Sequence, residues 1–274
     1  MKLVASLFKY LAAILIAFIS IVPFYVLLLI SMSTPATRLT SEGVKLLPEF
    51  YFKNFIEAWK TSTLGLSIIN SVIITAGAVT IILLLASSAG YAIARFKNKF
   101  NQIIFNILLL SMMIPGIINT VPLYTLMKSI GGINTHWAMV LVTATNALPF
   151  SVFLYTGFIK SISREVEESA IMDGCTWFSA FWRVTFHFIK PVTAAVVILN
   201  GLGIWNNYAQ AVFFLQSQKM RTIPLAISMF FQQYGAKWNL MAAAAVIGVA
   251  PAVLTFLIFQ KYFIRGITAG SVKG

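Results

Sequence analysis

The chain is poor in charge, and above all in acid. Only 10% of its 274 residues are charged, seven of these are Asp or Glu, and 59% of the residues are hydrophobic. The mean hydropathy is +0.88. Soluble domains usually have about a quarter of their residues charged. The composition therefore excludes an ordinary soluble protein and indicates an integral membrane protein.

Several motifs that carry chemistry are missing as well. The single Cys175 excludes an internal disulfide, and no spacing of His, Cys, Asp or Glu predicts a metal site. No nucleophile is paired with a base, so we expect no catalytic residue. No G-x-x-x-x-G-K-[ST] stretch occurs to hold ATP phosphates. No basic stripe with stacking aromatics is present, which argues against a nucleic-acid partner.

Six intervals without any charged residue divide the chain, and each holds at least 23 residues. A helix needs about 20 mainly apolar residues to cross a bilayer, because its backbone groups must pair internally there. The pattern predicts an all-α, single transmembrane domain over residues 1–274. Its six spans are expected at about 11–30, 67–91, 102–119, 138–159, 191–211 and 240–260.

The charged islands between the spans predict the topology. With both termini in the cytoplasm, the cytoplasmic islands hold the larger share of the 20 Lys and Arg residues. The longest of these islands is the loop 160–190, between the fourth and fifth spans, and the tail 261–274 is the last. Ser31 and Ser33 also fit a signal-peptidase site, but the apolar run before them is longer than a signal peptide needs.

Two spans and one external segment depart from plain apolar helices. In "FYFKNFIEAWK" the apolar residues follow helical spacing, which predicts a short helix at the membrane interface. Pro115 and Pro122 indicate that the third helix is bent or ends early. The fifth span contains amides, among them Asn200, Asn206 and Asn207. These either form hydrogen bonds between helices or line the path of a polar solute.

The stretch "EVEESAIMDGCTWF", residues 165–178, holds four of the seven acidic residues. Ser163 can cap a helix whose first turn is acidic, Gly174 can end it, and Thr176 can cap a second, aromatic helix. Such a helix–Gly–helix element either lies on the membrane surface or docks on a protein. An anionic membrane leaflet repels carboxylates, which favours docking in a basic groove of a protein.

This stretch resembles the EAA loop of ABC-importer permeases. Glu168, Ser169 and Ala170 fall on its Glu-Ala-Ala, and Asp173 and Gly174 fall on its Asp-Gly. "MMIPGIINTVPLYTLMKSIGGINT" is similar to carbohydrate permeases of the maltose and multiple-sugar type, and the tail "RGITAGSVKG" is similar to the end of the shorter maltose-type permease.

Three positions depart from the family's pattern. Ser163 stands where many carbohydrate permeases have Pro, Ser169 replaces the second motif residue, and His187 stands where Pro is common. A serine is small enough to leave docking possible. The loss of Pro at 187 leaves the second helix free to continue toward Pro191.

The resemblance implies a sugar or oligosaccharide importer in the cytoplasmic membrane of a bacterium or archaeon. Its expected partners are a second homologous permease subunit, two ATPase subunits, an extracytoplasmic sugar-binding protein and the lipid bilayer. The ATPase subunits would bind ATP and Mg²⁺, and this chain would hold no cofactor.

The resemblance also implies functional residues. Coupling to the ATPase subunits is expected at Glu165, Glu168, Ser169, Ala170, Asp173, Gly174, Phe178, Phe181 and Arg183. A second contact with them is expected in the tail at Gly266, Thr268, Gly270 and Lys273. The chemistry of the residues themselves, rather than the resemblance, places the expected substrate path at Asn146, Asn200, Trp205, Asn206 and Asn207, which offer amide hydrogen bonds and an aromatic face to a sugar. In this family the partner permease is an alternative place for most of the site.

Three alternatives stay open. An ABC permease for a non-sugar solute would share the loop. An ion-coupled secondary transporter usually carries ionisable residues at mid-membrane, and the six intervals contain no Asp, Glu, Lys or Arg. A scaffold that moves nothing would not need bent, amide-rich spans.

Overall fold

The computed structural model describes residues 2–34, 49–233 and 237–271, with side chains left undescribed at 2–5, 231–233, 259 and 261–271. The regular structure in these residues is helical. The helices are α1 (Lys2–Ser31), α2 (Lys53–Thr61), α3 (Leu64–Arg95), α4 (Lys99–Ser111), α5 (Thr120–Ser129), α6 (His136–Lys160), α7 (Glu165–Met172), α8 (Trp177–Ala180), α9 (Phe186–Phe188), α10 (Lys190–Trp205), α11 (Tyr208–Phe214), α12 (Ile223–Gln233) and α13 (Trp238–Ser271).

The chain forms two compact units. One consists of Met1–Gly65 with Ile223–Pro251, and the other of Leu66–Thr222 with Ala252–Gly274. In the first unit a buried amide, Asn54, ties α2 to the end of α1. Its Nδ2 donates to the carbonyls of Ser31 at 2.9 Å and Ser33 at 2.8 Å, and its Oδ1 accepts from Asn239 at 2.8 Å.

The core of the first unit lies around the buried side of α2. It consists of Ala58, Leu64, Ala226, Phe230, Leu240, Ala243 and Ala244. The helix predicted in "FYFKNFIEAWK" is confirmed by α2, and its Ile56 and Trp59 are exposed. Asn54 and Ala58 face inward, so the apolar stripe that identified the helix is largely its outer face.

In the second unit α3 and α6 approach closely. A Cβ added at Gly90 would lie 2.6 Å from the Cβ of Tyr155 and 3.1 Å from the backbone N of Thr156. Small residues at a helix crossing let two backbones come nearly into contact. The two long helices of this unit are therefore packed backbone to backbone at this point.

The third predicted span is not one helix. α4 ends at Ser111, turns occupy 112–119, and α5 starts at Thr120. This early end is what Pro115 predicted, since a proline cannot donate the helical hydrogen bond. The 13 residues of α4 rise about 20 Å, whereas a hydrocarbon core is about 30 Å thick.

Within the described residues four helices are long and apolar enough to cross a membrane: Ser6–Ser31, Leu64–Arg95, His136–Lys160 and Trp238–Ile258. A further candidate is a helix pair, Trp177–Phe188 with Lys190–Trp205, which is bent by 76°. The fifth predicted span, 191–211, is interrupted because α10 ends at Trp205 and Asn207 caps a new helix, α11. The regular structure of the described residues is thus all helical, and the chain is a multi-pass membrane protein.

Candidate functional site

The acidic stretch forms the expected helix and turn. α7 ends in a Schellman motif, in which Cys175 N donates to Ala170 O at 3.0 Å and Gly174 N donates to Ile171 O at 2.9 Å. Gly174 has φ +88°, a conformation that glycine adopts without strain. Thr176 caps the next helix by accepting from Ser179 N at 3.2 Å.

Two local predictions need correction. Ser163 accepts from Glu165 N at 3.3 Å, but the N-cap of α7 is Arg164, without a side-chain cap. The second helix is not one regular α-helix either, because a π-helical turn, Phe181–Thr185, separates α8 from α9. Phe186 N bonds to Phe181 O across the wider turn. Turns of this kind often occur at functional positions.

A buried ion pair joins α3 to the segment 165–188, which consists of α7, the turn at Gly174 and the helical turns that follow it. Arg95 is 7% exposed and Glu167 is 1% exposed. Arg95 Nε lies 3.0 Å from Oε1 and 2.8 Å from Oε2 of Glu167, and its Nη2 lies 2.8 Å from Oε1. The cation stands at the C-terminus of α3 and the carboxylate in the first turn of α7. Both helix dipoles favour these charges.

Neighbouring groups complete the hydrogen bonding of this pair. Thr185 Oγ1 donates to Glu167 Oε1 at 3.0 Å, and the Tyr91 hydroxyl lies 3.3 Å from Oε2. Arg95 Nη2 also donates to Ile162 O at 3.2 Å, while Arg164 Nη2 donates to Arg95 O at 2.8 Å. The buried carboxylate is therefore paired and hydrogen-bonded, as a charge removed from water must be.

The sequence did not identify Arg95 and Glu167 as functional residues. Glu167 stands between Glu165 and Glu168, which are both exposed. The available signal was the position of Arg95 at the end of an apolar interval, together with the position of Glu167, which lies about 200° around the helix from Glu165. Nothing in the sequence states which cation meets which acid.

The predicted coupling residues fall into two groups. Glu165, Glu168, Ser169, Asp173, Gly174, Phe178 and Arg183 are exposed, and Ala170 is half-buried. Phe181 does not belong with them, because it is only 3% exposed. Its ring centroid lies 4.8 Å from that of Tyr91 and 4.8 Å from that of Trp182. It packs the segment onto α3 and offers no surface to a partner.

The exposed side of the segment carries two large apolar side chains. Met172, which the sequence reasoning missed, is 87% exposed, and Phe178 is 75% exposed. They flank the turn at Gly174, beside the exposed carboxylates of Glu168 and Asp173. A surface of this composition, apolar and acidic, suits a partner with an apolar pocket and basic surroundings.

The residues predicted in the tail have little structural description. Gly266, Thr268 and Gly270 belong to the backbone of α13, and their side chains are not among those described. Lys273 lies outside the described residues.

A cavity of about 810 Å³ lies in the second unit. All of its lining residues belong to the described part of the chain, and none of them is charged. They are Leu108, Ser111, Met112, Ile114, Gly116, Ile117, Asn119, Thr120, Thr145, Asn146, Leu148, Pro149, Phe150, Asn207, Ala209 and Gln210. Two predicted path residues, Asn146 and Asn207, are brought together here.

The other predicted path residues are not part of this lining. Asn200 is 8% exposed and donates to Ser151 Oγ at 3.0 Å and to Val196 O at 2.9 Å, so it links α10 to α6. Asn206 donates to Leu202 O in its own helix at 3.0 Å, and Trp205 is buried. Of the two alternatives for these amides, hydrogen bonding between helices is the one that Asn200 shows.

Within the described residues no group of three or more His, Cys, Asp or Glu side chains is placed to hold a metal ion.

Gly174 offers a direct test of the turn. A Cβ there would meet nothing within 4 Å, so a substitution acts through the backbone conformation rather than through a clash. Asparagine tolerates the left-handed region, whereas a β-branched residue is strained there by about 1 to 3 kcal/mol. We expect Gly174→Asn to keep most uptake of the transported solute and Gly174→Val to lose most of it. Equal uptake by the two variants would show that the turn is not required.

The long apolar helices and the helix–Gly–helix segment held at the end of one of them define a multi-pass membrane permease. The family described as binding-protein-dependent transport system inner membrane component matches residues 82–269, more than half of the sequence, and the chain belongs to it.

Relatives and a solved structure agree with this assignment. The melibiose/raffinose/stachyose import permease protein MelC of Bacillus subtilis is 38% identical over 265 residues, with 96% of this chain and 95% of the relative covered. The arabinooligosaccharides transport system permease protein AraQ of Halalkalibacterium halodurans is 33% identical, with 94% and 93% covered. The resemblance to carbohydrate permeases of ABC importers is confirmed.

The fold is also that of a solved transporter chain. A bacterial ABC transporter involved in the import of the acidic polysaccharide alginate matches with a TM-score of 0.78, at 22% identity, over 94% of this chain and 96% of that one.

Proposed function

We propose that the chain is a permease subunit that carries an uncharged oligosaccharide across the cytoplasmic membrane of a bacterium or archaeon. The names of its relatives, which concern melibiose, raffinose, stachyose and arabinooligosaccharides, support a sugar substrate. The observation that carries the proposal is the segment 165–188, which presents Met172 and Phe178 outward and is held to α3 by a buried ion pair.

In this proposal the segment docks in a groove of an ATPase subunit. Met172 and Phe178 fill an apolar pocket, and Glu165, Glu168 and Asp173 face its cations. Two ATPase subunits bind ATP and Mg²⁺ and close during the cycle, and the permease subunits switch between inward-facing and outward-facing states. The tail from Gly266 to Lys273 makes a second contact with them.

Six crossings fit the helices if two of the crossings are broken. α4 with α5 would form the third, and α10 with α11 the fifth, with both chain termini and the loop 160–190 in the cytoplasm. Irregular backbone at membrane depth is tolerated where it lines a cavity. The break residues Met112, Gly116 and Asn119 of one crossing and Asn207 of the other line the same cavity. Broken helices of this kind form substrate sites in transporters.

The chemistry of this cavity suits a neutral sugar. Asn119, Asn146 and Gln210 offer amide donors and acceptors, and Asn207 is held in place as the N-cap of α11. Pro149 cannot donate a helical hydrogen bond to the carbonyl of Thr145, and both residues line the cavity. With no charge in the lining, an oligouronate would have no counter-ion here. A second homologous permease subunit and an extracytoplasmic sugar-binding protein complete the path.

Uptake in cells tests the substrate class. A strain that lacks this chain should fail to take up a neutral oligosaccharide such as labelled raffinose or an arabino-oligosaccharide, and the chain should restore uptake. Asn146→Leu should raise the KM for uptake about tenfold, because a sugar hydroxyl loses its hydrogen-bond partner. Asn106→Leu, also an exposed position but outside the cavity lining, is the matched control. Loss of uronate uptake alone would contradict the proposal.

A further inference from the structure

We propose that Arg95, Glu167 and Thr185 are positioning residues that fix the segment 165–188 to the end of α3, so that movement of the segment turns α3. The inference rests on the proposed function, in which this segment docks on an ATPase subunit. It assigns to three buried residues a role in coupling that the exposed docking residues cannot perform alone.

The carboxylate of Glu167 connects both halves of the segment. Glu167 belongs to α7, before the turn, and its Oε1 accepts from Thr185, which lies after the turn in the π-helical stretch, at 3.0 Å. The same oxygen accepts from Arg95 Nη2 at 2.8 Å. Any motion of either half must therefore move Glu167, and with it the last residue of α3.

The geometry of the pair fixes orientation as well as distance. Two nitrogens of Arg95 meet the Glu167 carboxylate, and a planar guanidinium that bonds in this way resists rotation about the contact. Ring contacts such as Phe181 with Tyr91, at 4.8 Å and tilted by 42°, hold the segment close but allow rings to slide. A buried ion pair adds little net stability, because removing its charges from water is costly. It is directional, however, whereas an apolar contact is not.

The contact continues from α3 into the helix that lines the cavity. α3 meets α6 at Gly90, where an added Cβ would lie 2.6 Å from the Cβ of Tyr155. α6 carries Thr145, Asn146 and Pro149 of the cavity lining. Since the two backbones nearly touch, a rotation of α3 displaces α6. The joint at Glu167 thus stands at the start of a continuous series of packed contacts that ends at the cavity.

The experiment uses the complete importer, with all subunits and the binding protein, reconstituted in liposomes. Thr185→Val removes only the hydroxyl that donates to Glu167 and keeps the side-chain volume, and Thr185→Ser restores a hydroxyl. Glu167→Gln removes the charge and keeps the shape. Glu57→Gln, in an exposed ion pair with Lys237 at 3.8 Å, is the control for loss of a carboxylate.

The readouts are the amount of ATPase subunit that copurifies, the rate of ATP hydrolysis, and the sugar moved per ATP. In the folded importer that is recovered, we expect Thr185→Val and Glu167→Gln to keep the ATPase subunits bound and hydrolysing, because Met172 and Phe178 are unchanged. Glu167→Gln also lowers the folded yield, because it leaves Arg95 buried without its counter-ion, so every readout is normalised to folded importer. Sugar moved per ATP should fall about tenfold in Thr185→Val, since a hydrogen bond to a charged group is lost. It should be normal in Thr185→Ser and in Glu57→Gln.

An unchanged ratio of sugar to ATP in both Thr185→Val and Glu167→Gln would overturn the proposal. So would a loss of bound ATPase subunit in Thr185→Val, because the hydroxyl would then serve folding or docking rather than transmission. Failure of the proposed function looks different. If the segment does not dock on the ATPase subunit, Phe178→Ala leaves the bound amount unchanged, whatever Thr185→Val does to coupling.

Discussion

Replacement of Arg95 by methionine is expected to remove most of the folded permease from the membrane. The change leaves Glu167, which is 1% exposed, as a buried charge without its counter-ion. Breaking a buried pair in this way costs about 3 to 5 kcal/mol, which is much of the total stability of a typical domain. The yield of monodisperse protein in detergent and its melting temperature would measure the loss.

The double variant Arg95→Met with Glu167→Met separates stability from coupling. Two methionines fill about the same volume and leave no charge to solvate, so most of the folded yield should return. Transport should not return, because the oriented link to α3 is absent. Lys237→Met, which removes a cation from an exposed pair, should change neither quantity. If the single and double variants have the same yield, the Glu167 charge is not the source of the instability.

The spans could be predicted from the sequence where composition alone identifies them. Charge-free intervals located α1, α3, α6 and α13, because every residue of a long apolar helix contributes to the hydropathy that identifies it. Pro115 also predicted the early end of the third helix correctly. The interruption at Asn206 and Asn207 was not predicted, because the apolar residues on both sides indicated one continuous span, although Asn followed by Gln three residues later is a local helix-start signal. Here Asn207 accepts from Gln210 N at 3.0 Å.

The turn at Gly174 could be predicted and the ion pair could not, for a physical reason. The signals for the turn lie within a few residues of one another, because a Schellman motif and an N-cap are local structures. Arg95 and Glu167 lie 72 residues apart, and only the folded chain brings them together. Phe181 was assigned to the wrong surface because the resemblance identifies a position in the sequence without stating what covers its side chain in the fold.

The amides show the same limit. Asn146 and Asn200 are both amides in apolar helices, and the sequence placed both on a substrate path. Asn200 is held by Ser151, which is 49 residues away, while Asn146 is exposed in the cavity lining. The sequence shows only that these amides need hydrogen-bond partners. Which of them are left for a sugar depends on how α6 and α10 pack.

Replacement of Phe178 by aspartate is expected to abolish sugar uptake while the permease still reaches the membrane. The side chain is 75% exposed and flanks the turn with Met172, so its change disturbs little inside the chain. In the proposed groove an aspartate loses the apolar contact and buries a charge in its place. A central anchor of an interface contributes about 2 to 4 kcal/mol, which corresponds to binding at least about thirtyfold weaker.

Purification of the complex through a tag on this chain measures the effect. The amount of ATPase subunit recovered with Phe178→Asp should fall in parallel with uptake, and Met172→Asp should act in the same direction. Phe178→Leu keeps an apolar side chain at the same position and should retain most of both quantities. If Phe178→Asp keeps the ATPase subunit bound and active, the partner docks elsewhere. The apolar surface at the turn would then face lipid, the alternative that the sequence left open for this segment.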